Sequence, residues 1–210
     1  MYYASEFITS VYQMRKMIVT VTGPSGSGKT ELVHELCANH NFEKLVSVTT
    51  RHIRPGEVEG KDYYFISHDD FSNLQHDKQL VQSAHFNGFY YGTTLDELKR
   101  VYEKGNVPIV IVEPGGIPQF REIANKEGYA LCTVFVGAER RTLIERYLRR
   151  IDTYHDSVQI PYHARRISAI TEEMNWKTAW SYDLQLFNDA DDLTQIAKLA
   201  EQVGDLCGKG

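Results

Sequence analysis

Eight consecutive residues constrain this chain more than any others. Gly23-Pro-Ser-Gly-Ser-Gly-Lys-Thr30 satisfies the pattern G-x-x-x-x-G-K-[S/T] at every position. The β-branched run Met17-Ile-Val-Thr-Val-Thr22 precedes it, and Leu32, Val33 and Leu36 repeat at helical spacing after it. A strand feeding a glycine-rich loop that opens a helix is the context in which this pattern acts. Such a loop can turn successive N–H groups toward phosphate oxygens, and the helix N-terminus adds the positive end of its dipole. Gly23, Pro24, Ser25, Gly26, Ser27, Gly28, Lys29 and Thr30 are therefore expected to cradle the phosphates of ATP or GTP. Lys29 would reach the terminal phosphates, and the Thr30 hydroxyl would ligate Mg2+.

The composition suits a chain folded round such a loop. At 210 residues, 42% hydrophobic and 24% charged, it can form one domain with a sizeable core and small inserted lobes, but not two large domains. Its 23 basic and 28 acidic residues leave a net charge of −5. A general nucleic-acid or anionic-membrane binder would carry basic excess, so neither is expected as a partner. An anionic substrate must then meet positive charge concentrated locally. Cys37, Cys132 and Cys207 are odd in number and far apart, without CxxC or Cys/His spacing. That argues against a disulfide framework or structural zinc and for a cytoplasmic location. No apolar run approaches the roughly 18 residues of a membrane span. Residues 1–16 lack the charged start and apolar core of a signal peptide. Tyr3, Phe7, Val11 and Met14 recur there at helical spacing, as in a short amphipathic helix. Met17 is an alternative start, which would make the stretch a dispensable extension.

Strand-like and helix-like segments alternate along the chain. Lys29 to His40, Ile117 to Lys126, Glu139 to Ile151, Tyr162 to Thr178 and Asp191 to Leu206 read as helices. Pro108 to Val112, Ala130 to Val136 and Tyr182 to Phe187 read as strands, the first apolar enough to be buried on both faces. Thr94-Leu-Asp-Glu97 is a capping box for a helix that Gly105 closes. Between Ser47 and Thr94 the alternation fails. Short strand candidates crowd there or at its edge: Leu45 to Val48, Tyr63 to Ile66, and Leu80 to Tyr91 split by the hairpin signal Asn87-Gly88. The expected fold class is α/β, a doubly wound parallel sheet carrying an inserted β-rich lobe.

The block that breaks the alternation also holds a second candidate anion site. Arg51 and Arg54 offer planar guanidinium forks suited to a phosphate, and Tyr63 and Tyr91 add hydroxyl donors. Taken alone, such a loop reads more readily as solvated surface than as a site. The larger pattern is more specific. Thr49 to Phe65 spells T-T-R-x-x-R-x-G-E-x-x-G-x-D-Y-x-F, followed by Tyr90-Tyr91-Gly92-Thr93 and then by Tyr182-Asp183 and Asn188-Asp189. With the phosphate loop, these segments resemble the guanylate kinase family in order and spacing, from about Met17 to Leu206.

The resemblance implies a P-loop nucleoside monophosphate kinase that moves the γ-phosphoryl group of ATP onto GMP or dGMP with Mg2+. It implies a P-loop core (residues 17–46, 95–136 and 166–207), an acceptor-binding lobe (47–94), a helical lid (137–165) and an extension (1–16). Arg51, Arg54, Tyr63 and Tyr91 would hold the acceptor phosphate, with Ser47 and Thr93 beside the guanine. Arg146, Arg150 and Arg166 match lid and core arginines that bridge donor and acceptor phosphates. Asn188 falls near the adenine. Arg140 and Arg141 read instead as solvated helix surface.

Two positions depart from the family pattern. A glutamate that accepts from guanine N1–H and the 2-amino group is Gln82 here, and the strand end D-I-D is Ile111-Val112-Glu113. Loss of the first acid leaves Thr30 and Glu113 to support the metal. An amide offers one acceptor and two donors. A donor left facing a guanine donor costs roughly 1–3 kcal/mol, about 5- to 150-fold in affinity. Glu113 could instead take the 2-amino contact, leaving an ordinary guanylate kinase. Alternatively Gln82 shifts the preference toward a 2-aminoadenine-like edge.

A phosphate acceptor with its second pKa near 6 needs no general base, and no nucleophilic triad is present. The eight histidines read as surface or packing residues, and Glu57 and Glu59 as solvated loop carboxylates. Guanylate-kinase-like domains that only bind peptides are a competing class, against which stand the intact Lys29 and Thr30. A kinase for another phosphorylated acceptor is a further alternative, against which stands the full set of Arg51, Arg54, Tyr63 and Tyr91.

Overall fold

In the computed structural model, which describes residues 16–54, 56–86, 88–153, 160–190 and 193–207, the run before the glycine loop forms β1 (Met17–Thr22). There follow α1 (Lys29–Asn39), β2 (Phe42–Lys44), β3 (Val48–Thr49), β4 (Tyr64–Phe65) and α2 (His68–His76). Next come β5 (Leu80–Phe86), β6 (Phe89–Thr94), α3 (Leu95–Glu103), β7 (Val107–Ile111), a 3-10 turn (Pro114–Gly116) and α4 (Ile117–Glu127). The chain continues with β8 (Ala130–Gly137), α5 (Arg140–Thr153), α6 (Ile160–Met174), α7 (Trp176–Ala179), β9 (Leu184–Phe187) and α8 (Leu193–Cys207). Residues 1–15, where an amphipathic helix or extension is expected, lie outside the described residues.

Five strands make a parallel sheet in the order β2-β7-β1-β8-β9. β1 sits in the middle, with Val19 paired to Ile109 on one side and Cys132 on the other. Successive side chains of a strand face opposite ways. Val19 and Val21 therefore pack with Leu32, Leu36, Leu199 and Val203 of α1 and α8, while Ile18 packs with Leu98, Val101 and Phe120 of α3 and α4. Burying each such side chain contributes about 1.5–3 kcal/mol. Both faces are covered, which is the doubly wound arrangement. The Ser47 to Thr94 block forms a second sheet in the order β4-β3-β6-β5, with α2 packed on it. Phe86 pairs with Phe89 across the expected two-residue turn, where Gly88 takes φ 83°.

Two segments differ from expectation. The strand expected over Leu45 to Val48 is split, because the chain changes sheets there: β2 ends at Lys44 in the large sheet and β3 starts at Val48 in the small one. The helix expected from Tyr162 to Thr178 stops at Met174, where the Asn175 N–H bonds back to Glu172 O and the short α7 follows.

The capping box at Thr94 is half formed. Thr94 Oγ1 accepts from the Glu97 N–H at 3.1 Å, but the Glu97 carboxylate turns away to bind Arg100 and the Val46 N–H. Arg100 passes the charge on to Glu43 of β2, which also accepts from Lys104 and Asn106. Burial pushes the Glu43 carboxyl upward, but those three hydrogen-bonding partners outweigh it and hold its pKa at about 2. In the unfolded chain it titrates near 4.5. Its contribution to stability is thus complete above about pH 4.5 and fades as pH falls through about 2. Glu43→Gln should lower the urea midpoint at pH 7, with the gap from the parent protein narrowing as the pH is taken down through that window. An equal gap at pH 7 and at pH 2.5 would show that the network is not ionic in this sense.

Candidate active site

The loop after β1 is shaped by close backbone approaches. A side-chain carbon on Gly23 would stand 2.0 Å from Val136 O of β8, and one on Gly28 would stand 2.3 Å from Asn188 Nδ2. Gly28 also takes φ 93°, in the left-handed region that disfavours any side chain. Asn188, 4% exposed at the end of β9, donates from Nδ2 to Ser27 O at 3.0 Å. The resemblance puts Asn188 near the adenine; the structure packs its amide beneath the phosphate loop. Lys29, at the start of α1, arches over the loop and donates to Pro24 O at 2.7 Å.

Two helices reach the same loop from above. Arg146 of α5 donates to Gly26 O at 3.1 Å and to Ala190 O at 2.8 Å. Glu173 of α6 accepts from the Ser25 N–H at 2.7 Å, and its other oxygen lies 3.9 Å from the Arg166 guanidinium. A carboxylate on a phosphate-loop amide stands where an anionic ligand would bind. Nothing in the sequence pattern marks Glu173 for this place. Its signal is only positional, seven residues (two helical turns) after Arg166. Arg150 belongs to α5, and its side chain lies outside the described residues.

The second cluster surrounds Arg51, which is 7% exposed. Its guanidinium makes a two-pronged contact with Glu57 at 2.7 and 3.0 Å and donates to His52 O. It lies 5.5 Å from the Tyr63 ring centre and 5.7 Å from that of Phe65, close enough for cation–π attraction. Tyr63 meets Tyr91 edge to face. Hydrogen bonding to Glu57 raises the Arg51 pKa further, keeping the charge fixed, and burial raises that of the Tyr63 hydroxyl. Glu57 is therefore no solvated bystander, contrary to the sequence expectation, whereas Glu59 is exposed as expected. The loop folds back on itself, so Glu57 braces Arg51 and accepts from the Arg54 N–H, while Glu59 accepts from the Phe65 N–H. The Arg54 side chain is exposed on the same loop.

Between the clusters lies a cleft of about 260 Å3. Thr30, His34, Lys44, Ser47, Asp62 and Tyr63 line it. Thr30, Val33 and His34 of α1 form one side, Ser47, Asp62 and Tyr63, which flank β3 and β4, form another, and Lys44, Val110 and Ile111 come from the large sheet. Gln82 pairs in register with Thr93, whose buried hydroxyl has no hydrogen-bond partner among the described residues. The Gln82 side chain leans on Gly116 in the 3-10 turn. Glu113 is exposed at the start of that turn.

A phosphate loop on a parallel sheet, with arginines gathered at the loop and on a lobe across one cleft, defines a P-loop phosphotransferase. The guanylate kinase family model matches residues 13–204. Guanylate kinase of Chlamydia trachomatis serovar D is 34% identical over 173 residues, covering 80% of this chain and 82% of that protein. That of Trichodesmium erythraeum is 34% identical over 190 residues, covering 89% and 96%. The crystal structure of guanylate kinase from Anaplasma phagocytophilum shares the fold, with a TM-score of 0.64 at 24% identity over 93% of this chain and 86% of that one. The chain belongs to the guanylate kinase family.

The close approach at Gly28 is open to test. Gly28→Ala forces a left-handed alanine against Asn188 and should cost about 1–3 kcal/mol from backbone strain alone, with the contact adding to it. In an Asn188→Ala background, which itself loses the bond to Ser27 O, adding Gly28→Ala should cost only the strain, as read from thermal midpoints of the single and double variants.

Proposed function

We propose that this chain transfers the γ-phosphoryl group of ATP to GMP or dGMP, giving ADP and the diphosphate. The donor lies on the loop Gly23–Thr30, and the acceptor lies on the lobe 47–94. The observation that carries this reading is the shared cleft, with Thr30 on one wall and Ser47 and Tyr63 on the other. Two mutually repelling anions can meet there only if positive groups reach both. Lys29, the loop amides, Arg146 and Arg166 serve the donor, with Arg150 as a further lid arginine. Arg51, Arg54, Tyr63 and Tyr91 hold the acceptor phosphate, with Ser47 and Thr93 toward its base.

The acceptor phosphate is largely dianionic at pH 7, so no base is needed to generate the nucleophile. What the protein supplies is alignment and neutralisation of charge as the phosphoryl group moves. Arg51 is suited to this because Glu57 and the aromatic rings fix its fork before substrate arrives. Donor binding must displace Glu173 from the Ser25 N–H and draw Lys29 and Arg146 from backbone carbonyls to phosphate oxygens. Closure of the lid, residues 137–165, would exclude water and suppress ATP hydrolysis.

The Thr30 hydroxyl and the Glu113 carboxylate are hard oxygen donors exposed at the ends of neighbouring elements, a set that fits Mg2+. The ion, bound with ATP, offsets charge on the β- and γ-phosphates. Among the described residues no helix is long and apolar enough to cross a membrane. Cys37 carries a free thiol, which suits the cytoplasm as the site of action.

Lys29→Ala and Arg51→Ala should each lower kcat/KM by roughly two orders of magnitude or more, the scale of losing one charge-stabilising group. Near-normal rates in either variant would remove the role assigned to it. For the base, GMP, dGMP, AMP, dAMP and 2-aminoadenine monophosphates should be assayed side by side. GMP and dGMP are expected to be the preferred acceptors. If Gln82 faces the guanine donors, Gln82→Glu should lower the GMP KM by about fivefold or more. An unchanged KM would mean that Gln82 does not touch the base.

A further inference from the structure

The chain passes from the large sheet to the small one at residues 45–47 and returns where Thr94 leads into α3. The first crossing leaves the Val46 N–H outside both ladders. Leu45 N–H still donates to Ile109 O of β7, and Ser47 O already accepts from Tyr64 N–H of β4, both at 2.9 Å. Val46 belongs to neither ladder and is only 8% exposed. A buried N–H without a partner costs roughly 1–3 kcal/mol. Here the partner is Glu97 Oε1 at 2.8 Å.

Glu97 is 3% exposed and sits in the first turn of α3, at the second crossing. Its backbone N–H is capped by Thr94, the last residue of β6. Its Oε2 accepts from the Tyr64 hydroxyl at 3.3 Å, a contact with β4 of the small sheet. Arg100 donates to both carboxylate oxygens, at 2.7 and 2.8 Å, and continues to Glu43 of β2 in the large sheet. Through its carboxylate Glu97 thus bonds the incoming crossing and a strand of the lobe, through its backbone N–H it bonds the outgoing crossing, and through Arg100 it is fastened to the core.

We propose that Glu97 is a positioning residue for the acceptor nucleotide, the pivot that sets the angle of the 47–94 lobe over the phosphate loop. It touches no substrate. It acts through Val46 and Tyr64, whose sequence neighbours Ser47 and Tyr63 line the cleft. Arg100 and Glu43 are the fixed half of the pivot, and the Tyr64 hydroxyl is the half that belongs to the lobe. The inference rests on the reading that this lobe holds the acceptor.

The test is steady-state kinetics on the full chain with GMP and ATP varied separately. Tyr64→Phe removes only the lobe contact and keeps the ring. It should raise the GMP KM about threefold or more, with the ATP KM within twofold of the parent and the thermal midpoint nearly unchanged. Glu97→Gln puts amide hydrogens against Arg100 and should raise the GMP KM about tenfold or more, with faster hydrogen exchange at the Val46 amide. Should Glu97→Gln fail to fold, Tyr64→Phe alone decides. A folded Tyr64→Phe with an unchanged GMP KM would overturn the pivot, as would a Glu97→Gln that shifts both KM values equally. Arg51→Ala, run in parallel, separates the two ideas. If it too leaves the GMP KM unchanged, the placement of the acceptor fails. If it alone raises the GMP KM, the placement stands and the pivot is wrong.

Discussion

Everything at the donor site depends on a backbone that is held open from below. Phosphate-binding amides work only if they converge before the ligand arrives, and a flexible loop would spend binding energy on ordering them. Here the ordering comes from two contacts with no room for a side chain. Gly23 lies against Val136 O, and Gly28 lies over the Asn188 amide that also bonds Ser27 O. Val136 belongs to β8 and Asn188 follows β9, so the loop takes its shape from strands far away in sequence. The order β1-β8-β9 brings them beneath it.

The Arg51 cluster solves the same problem with side chains. A guanidinium on a loop has rotamer freedom to lose, and Arg51 has lost it already to Glu57, His52 O and the rings of Tyr63 and Phe65. The carboxylate that braces it also keeps a buried positive charge tolerable in the absence of substrate. At the donor loop Glu173 occupies the Ser25 N–H and lies near Arg166 in the same way. In both places an acidic side chain stands near the cations that a phosphate would otherwise neutralise. A protein of net charge −5 can therefore gather arginines around one cleft without leaving them uncompensated.

Much of this was legible in the sequence because it is local. The phosphate loop, the hairpin turn at Asn87-Gly88 and the alternation of elements all follow from spacing within a few residues, and they match the observed elements closely. Arg51, Tyr63 and Tyr91, singled out together in the sequence, do gather in one cluster. What escaped is long-range or conformational. Glu57 is six residues from Arg51 and looks like loop solvent contact until the loop folds back. Glu173 meets Ser25 across 148 positions. The Thr94 box reads as a reciprocal cap, yet its acid is drawn off by Val46 and Arg100, because a buried N–H and a guanidinium together are stronger claims on a carboxylate than one amide at a half-buried helix end. The strand expected over Leu45 to Val48 failed for a related reason: periodicity shows apolar residues but not that they divide between two sheets.

The small sheet leaves and rejoins the large one at neighbouring points, and few ladder bonds of the core run through it. Substitutions within residues 48–93 can therefore reshape what is recognised without disturbing the strands that carry the triphosphate loop. Under the proposed function, choice of acceptor and handling of donor then become separately heritable traits, open to independent drift or selection, as long as the seam between them is kept.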